Sequence, residues 1–243
     1  MRGPTTACPA ARAAARADDR AAVPRELLLM LLADARLPVA GHTQSGGLEP
    51  AVRAGLSAAG VPAYLTARLD TVVAVEAGTA VVARHRLLAG RPLEPVVAAW
   101  AARTPAPALR AAARTQGRAL ARLAGRLWPG SPHLAALGTL DRPAPRAVVL
   151  GAVAAAAGLD ACGLALLVAY DDLQTVAASA LKLLPLDPAE ATCWVHGALP
   201  AAVDLAAAYA GLTDPTDIPA RSAPQTDLWA QLHDQTTRRL FRA

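Results

Sequence analysis

Residues 41–47 read GHTQSGG and combine residue types that several kinds of chemical site use. Their glycine spacing approaches that of a phosphate-binding loop, which reads Gly, four residues, then Gly-Lys-Ser/Thr. Gly47 stands where that loop needs the Lys that reaches the phosphates, and an Ala/Leu segment typical of a helix precedes it in place of a strand. The stretch therefore predicts no nucleotide site.

Ser45 and His42 have the side chains of a hydrolase nucleophile and its base. A nucleophile elbow reads G-x-S-x-G, and Thr43 occupies the position of the first Gly. This mismatch does not decide against a triad of Ser45, His42 and Asp34, because triad residues follow no fixed order along a chain. An all-α hydrolase using Ser45 and His42 is therefore kept as the alternative function.

Two groups of residues resemble parts of metal sites. Cys193 and His196 have the C-x-x-H spacing of half a zinc site, but no second pair at metal spacing follows. His42 could join Asp34 and Glu49 around a divalent ion. Residues three apart share a helix face, so we predict a core role for Cys193 and His196, and no bound metal or other cofactor.

The same segment is explained physically as a tight turn between two helices. Pro38 fixes its own φ and favours extended backbone before it. The glycines within residues 41–47 allow positive φ and close backbone approach. Hydroxyl groups in the turn can cap a helix that begins near Leu48, with Glu49 in the first turn, where negative charge is favourable. We expect the polar side chains to face outward or against a partner, namely His42, Gln44 and Ser45.

The elements that must position this loop are helices. The 243 residues are 54% hydrophobic but only 3% aromatic, so the strong helix formers Ala and Leu, with Val, must build the core. We predict an all-α single-domain bundle of about ten helices over residues 24–243, after a disordered Ala/Arg-rich tail over residues 1–23. Predicted helices include residues 24–37, 48–60, 92–103, 143–157, 160–184, 188–211 and 226–241, and one that starts at Pro62. Residues 71–83 could form a hairpin, but helical spacing on both flanks favours a helix.

Charge and cysteine content restrict the partners and the compartment. The net charge of +5 comes from 23 Arg and one Lys, and would permit an acidic partner. Five arginines recur every four residues in one predicted helix and form a basic stripe: Arg110, Arg114, Arg118, Arg122 and Arg126. We interpret this stripe as a solvated face, with a docking face for an acidic protein or nucleic acid as the alternatives. Only eight side chains are aromatic and no nucleic-acid-binding motif occurs, so no nucleic-acid partner is predicted.

Two apolar runs mimic export or membrane segments. More than twenty residues, some of them acidic, precede Leu27–Leu32, unlike the short basic start of a signal peptide. Ala147–Tyr170 is long enough to span a membrane, but Gly158-Leu159-Asp160 reads as a helix stop and an N-cap. Three widely spaced cysteines form no disulfide framework and fit small buried thiols. We predict a cytoplasmic protein without membrane segments.

The last residues, 233–243, read HDQTTRRLFRA and contain the only Phe of the chain. Leu240 and Phe241, ringed by arginines, resemble an interface anchor. Alternatively, a terminal helix packs both residues onto its own core. Chain ends are frayed unless they are tied down, so apolar residues here indicate that something covers them.

Four blocks of this chain together resemble the UreF family of urease accessory proteins. The first is LLADARLPVAGHTQSGGLE at residues 31–49, similar to the family's "LADS-x-FP…GG-aromatic-x-HS-x-GLE". The others are RTQGRAL at residues 114–120, LKLLPLD at residues 181–187, and His233 with RLFRA at residues 239–243, which resembles "His…RLFxS". They occur in the family's order from about Glu26 to the last residue.

The resemblance implies an all-helical homodimer with no enzymatic activity. Such a protein binds UreD (also called UreH), recruits the GTPase UreG, and docks on apo-urease to support nickel insertion. It also implies that Arg239, Leu240 and Phe241 order on binding UreD/UreH. The loop of residues 38–49 and Lys182, the only Lys, would contribute to the surface that the GTPase contacts. The expected partner-binding residues are Pro38, Gly41, His42, Ser45, Gly46, Leu48, Glu49, Lys182, His233, Arg239, Leu240, Phe241 and Arg242.

Overall fold

The computed structural model describes residues 23–39, 43–236 and 240–241, and in these residues the chain is all helical with no β-sheet. The predicted fold class is confirmed. Its helices are α1 (Arg25–Leu32), α2 (Leu48–Arg53), α3 (Val61–Arg68), α4 (Ala74–Leu88), α5 (Glu94–Arg103), α6 (Pro107–Leu127), α7 (Pro132–Ala135), α8 (Arg146–Ala157), α9 (Ala161–Leu183), α10 (Pro188–Tyr209) and α11 (Pro224–Asp234). A π-helical turn, Leu69–Val73, joins α3 to α4, so residues 71–83 are helical as predicted.

The core lies around α4, α8 and α9 and consists mainly of Ala, Leu and Val, as the composition requires. α4 and α8 pack closely because Gly151 has no side chain: a Cβ there would lie 2.6 Å from the carbonyl oxygen of Ala80. Trp100 of α5 is the largest side chain buried in this core. α9 and α10 form a second extensive pair, and α6 covers α8 on the other side.

The apolar run of residues 147–170 divides into two helices where the sequence predicts it. α8 ends at Gly158, whose φ of +71° is left-handed and suits a residue without a Cβ. Asp160 then caps α9, because its carboxylate accepts the backbone N–H of Gly163 at 2.6 Å. Among the described helices, α9 is the one long and apolar enough to cross a membrane, but much of it packs against α4 and α10, which is typical of a core helix.

α6 carries the basic stripe on one face and packs closely on the other. At Gly117 an added Cβ would lie 2.1 Å from the carbonyl oxygen of Ala144, just before α8. Arg118, Arg122 and Arg126 are exposed to solvent. The first two arginines of the stripe are half-buried and donate to backbone carbonyls of the flanking loops.

Several helices are shorter than the predicted ranges. The helix predicted over residues 48–60 stops at Arg53, because Gly55 adopts a φ of +103° that ends the helix. The first helix ends at Leu32, five residues before its predicted end. The last helix, predicted over residues 226–241, ends at Asp234, so Leu240 and Phe241 are not part of it. The N-terminal segment predicted to be disordered, residues 1–23, lies outside the described residues except for Val23.

Candidate functional site

The loop that leads into α2 is held by buried contacts. Gly46 and Gly47 have φ values of +59° and +76°, and a Cβ on Gly46 would lie 2.9 Å from Val176 of α9. Tyr64 of α3 donates its hydroxyl to the carbonyl oxygen of Gly46 at 2.8 Å, and burial raises the pKa of this phenol, which keeps it protonated. The glycines therefore let the loop backbone lie directly against α3 and α9.

Ser45 and Gln44 do not face outward, contrary to expectation. Ser45 is fully buried, and its Oγ accepts the backbone N–H of Glu49 at 3.3 Å, in keeping with the predicted capping role. Gln44 is buried as well, and its backbone carbonyl oxygen accepts the hydroxyl of Ser179 at 3.2 Å. These two residues therefore shape the loop from inside.

Glu49 is a buried carboxylate that binds the end of the chain. Only 2% of the residue is exposed. Its Oε1 accepts the backbone N–H of Leu240 at 2.9 Å, and its Oε2 accepts that of Phe241 at 2.8 Å. Arg53, one turn further along α2, donates to Oε1 at 2.8 Å. Charged hydrogen bonds of this kind are stronger than neutral ones, so Glu49 is a strong polar attachment for Leu240 and Phe241.

Two further side chains complete the contact with Phe241. The Nε2 of His233 lies 3.2 Å from the carbonyl oxygen of Phe241 and 3.4 Å from Oε2 of Glu49. Because the carbonyl oxygen of Phe241 can only accept, we assign a proton to Nε2. Lys182 of α9 places its ammonium 5.1 Å from the centre of the Phe241 ring, within the range of a cation–π contact. Phe241 is 4% exposed, whereas Leu240 is 61% exposed.

The structure thus brings together five predicted site residues from distant parts of the chain: Glu49, Lys182, His233, Leu240 and Phe241. Leu48 is fully buried beside them in the core, and Pro38 is exposed at the start of the loop. The remaining predicted site residues, Gly41, His42, Arg239 and Arg242, lie outside the described residues. We call the group formed by Glu49, Lys182 and His233 the tail site.

A partly open cavity of about 180 Å³ adjoins the loop, and no feature of the sequence analysis predicts it. Its walls carry buried charges, including an ion pair in which Arg68 donates to Asp172 at 2.8 Å. Burial raises the pKa of Glu76, although its Oε1 accepts the Trp100 indole N–H at 2.7 Å. The available signal was the pair of adjacent aspartates, Asp171 and Asp172, within the mostly apolar α9.

The alternative chemistries receive no support from this geometry. Ser45 has no exposed surface for a substrate to reach, and Asp34 is occupied by Arg36, which donates to it at 2.6 Å. Among the described residues, no group of three His, Cys, Asp or Glu side chains could hold a metal ion. The predicted core role of Cys193 and His196 is wrong, because both face solvent on α10, and Cys162 is exposed too.

Fold and site together define an all-helical domain, as far as it is described, in which Leu240 and Phe241 bind to the second helix through Glu49. The family model of UreF matches residues 56–199. Over 223 residues the chain is 42% identical to the urease accessory protein UreF of Mycobacterium sp. (strain JLS), covering 88% of this chain and 96% of the relative. The proteins of the same name from Mycolicibacterium vanbaalenii and Mycobacterium bovis (strain BCG / Pasteur 1173P2) are 38% and 40% identical, with 88% of this chain covered and 96% and 97% of theirs. The chain belongs to the UreF family of urease accessory proteins.

Proposed function

We propose that this chain is a non-enzymatic scaffold of urease maturation. Together with UreD/UreH it recruits the GTPase UreG to apo-urease in the cytoplasm, where nickel is inserted into the metallocentre. The observation that carries this proposal is the meeting of loop, Lys182 and tail at the tail site, since the family resemblance associates all three with partner binding. The exposed side chain of Leu240 supports it further, because an apolar side chain held at the surface suits a protein interface.

Co-expression with urease subunits and the other accessory proteins tests the proposal. A chain lacking residues 233–243 should neither co-purify with UreD/UreH and UreG nor support urease activation. If the full chain co-purifies with neither protein, the scaffold function is refuted. If the shortened chain still assembles, partner binding does not depend on the tail.

A point substitution gives a sharper version of the same experiment. Leu240→Asp alters the exposed side chain and leaves the backbone N–H that Glu49 accepts. Leu88→Asp, at the end of α4, is the matched control because Leu88 is also about half exposed. We expect loss of assembly with Leu240→Asp only, and equal effects of the two substitutions would contradict a partner contact at Leu240.

The proposed homodimer has a candidate face between α1, α9 and α10. These helices enclose an apolar groove, and Met30 and Val203 on its rim are 69% and 55% exposed. An apolar surface of this kind is typical of an interface between copies. Met30→Glu and Val203→Glu should convert a dimer to a monomer in light scattering, whereas Leu88→Glu should not. Dimers that persist in both groove variants would place the interface elsewhere.

The absence of catalysis is tested at Ser45. A serine-reactive probe should leave the folded protein unlabelled, because no surface of Ser45 is exposed. Labelling that Ser45→Ala abolishes while the fold is kept would instead support the hydrolase.

A further inference from the structure

Within the tail site, Glu49 recognises main chain rather than a particular side chain. Each oxygen of the Glu49 carboxylate accepts one of two consecutive backbone N–H groups, from Leu240 and Phe241. Any pair of residues other than proline supplies the same two donors. Leu240 contributes little else, since its side chain is largely exposed.

Selectivity at this site comes from the second residue. Phe241 is buried and lies under the ammonium of Lys182, so the position suits an aromatic ring. The carbonyl oxygen that follows is bound by His233. The contacts therefore describe a short segment that offers two consecutive backbone N–H groups to Glu49 and an aromatic side chain to Lys182.

Without such a segment, the carboxylate of Glu49 would lose two of its hydrogen-bond donors. Glu49 is buried, and a buried carboxylate that loses two hydrogen bonds becomes costly. Leu240 and Phe241 lie near the end of the chain, where local opening requires the least disruption. An attachment of this kind can open without unfolding the domain and can take an equivalent segment from solution.

We propose that Glu49, Lys182 and His233 form a binding site for a short aromatic peptide, which the chain's own Leu240–Phe241 occupies. Binding of the segment to this site depends on Glu49, which accepts both of its backbone N–H groups. The site is defined in the free chain and does not rest on the proposed scaffold function. Only its use in assembly with urease partners rests on that function.

Hydrogen exchange of the full chain tests the attachment in the absence of any partner. Glu49→Gln keeps the size of the side chain but replaces one acceptor oxygen by a donor, so the backbone N–H groups of Leu240 and Phe241 should exchange at least about tenfold faster. Glu190→Gln, at an exposed glutamate in the first turn of α10, is the control and should leave that exchange unchanged. Equal exchange in the Glu49→Gln and Glu190→Gln chains would overturn the proposal.

A peptide supplied from solution tests the site itself. We expect a fluorescent peptide of residues 237–243 to bind the full-length Phe241→Ala chain, whose own tail lacks the ring. It should bind the parent chain more weakly, because the attached tail competes at high effective concentration. Adding Glu49→Gln to the Phe241→Ala chain should abolish binding. Equal binding with and without Glu49→Gln would refute the site.

Changes in the peptide avoid any effect on folding of the protein. Replacing Leu240 of the peptide by proline removes one N–H donor, and replacing Phe241 by alanine removes the ring. Each change should reduce binding to the Phe241→Ala chain at least about tenfold. A proline peptide that binds as well as the parent peptide would contradict recognition through main chain. If the exchange and peptide results hold but no urease partner co-purifies, the scaffold function fails while the peptide site stands.

Discussion

Gly117 of α6 offers the most direct test of how the helices pack. A Cβ added at this residue would lie 2.1 Å from the carbonyl oxygen of Ala144, whereas ordinary contact begins at 3.4 Å. The opposing atom belongs to the backbone, so no side-chain rotation relieves the overlap, and α6 must move by more than an ångström. Such a movement would also stretch the hydrogen bond that Arg114 donates to Pro143 at 2.7 Å.

The expected change in the free energy of unfolding for Gly117→Ala is the difference between two opposing effects. Overpacking typically costs about 1–3 kcal/mol, and contact with backbone belongs at the upper end of this range. Alanine in a helix is more favourable than glycine by about 1 kcal/mol, which offsets part of the cost. We expect Gly117→Ala to lower the free energy of unfolding by about 2 kcal/mol. Gly125→Ala, in the same helix with no atom within 4 Å, should raise it by up to about 1 kcal/mol.

Urea denaturation followed by circular dichroism measures both variants against the parent chain. The midpoint should fall for Gly117→Ala and rise slightly for Gly125→Ala, with the slope m unchanged in both. If Gly117→Ala is as stable as Gly125→Ala, the close approach of α6 to residues 144–146 does not exist, and the reasoning from Gly117 is wrong.

The remaining predictions concern the loop and the cavity. Gly46→Ala should lower the free energy of unfolding by about 2–4 kcal/mol, because it combines a positive φ with contact against Val176. The control is Gly90→Ala, which has a similar φ of +63° in open space and should cost only about 1–2 kcal/mol. Equal melting temperatures of the two variants would exclude the Val176 contact. Burial raises the pKa of Glu76 above its ordinary value of 4.5, so the folded state binds this proton more tightly and loses stability as pH rises from 4.5 through the raised pKa. Glu76→Gln should therefore stabilise the protein at pH 7 but not at pH 4, since the amide oxygen can still accept from Trp100, and an equal gain in melting temperature at both pH values would refute the raised pKa.

The fold class and most helices could be predicted from the sequence because their signals are local. Ala/Leu composition, apolar spacing at 3.6 residues and the Gly158–Asp160 stop act within one or two turns. Helix ends were predicted less well where one glycine decides them, as at Gly55, whose positive φ ends α2 early. Nothing in the composition of residues 48–60 distinguishes that glycine from one tolerated inside a helix.

The contacts of the candidate site were harder to predict because their partners are distant or lack a side-chain signal. Glu49 accepts from backbone N–H groups more than 190 residues further along the chain, and every residue except proline has such a group. The C-x-x-H spacing of Cys193 and His196 correctly places both on one helix face. It does not say which face, and that face points to solvent because the opposite side of α10 packs on α9.

Burial of Glu49 affects how a loss of the tail must be interpreted. The carboxylate is compensated by Arg53, by two backbone N–H groups of the tail, and by His233 at 3.4 Å. Removing residues 233–243 deletes the last three of these together and leaves a buried charge with fewer partners, which is destabilising in itself. A shortened chain that fails to assemble with urease partners would thus combine a lost contact surface with a weakened α2. Leu240→Asp reduces this ambiguity because it retains Arg53, His233 and the two backbone N–H donors to Glu49, so its effect on assembly reports mainly the exposed side chain.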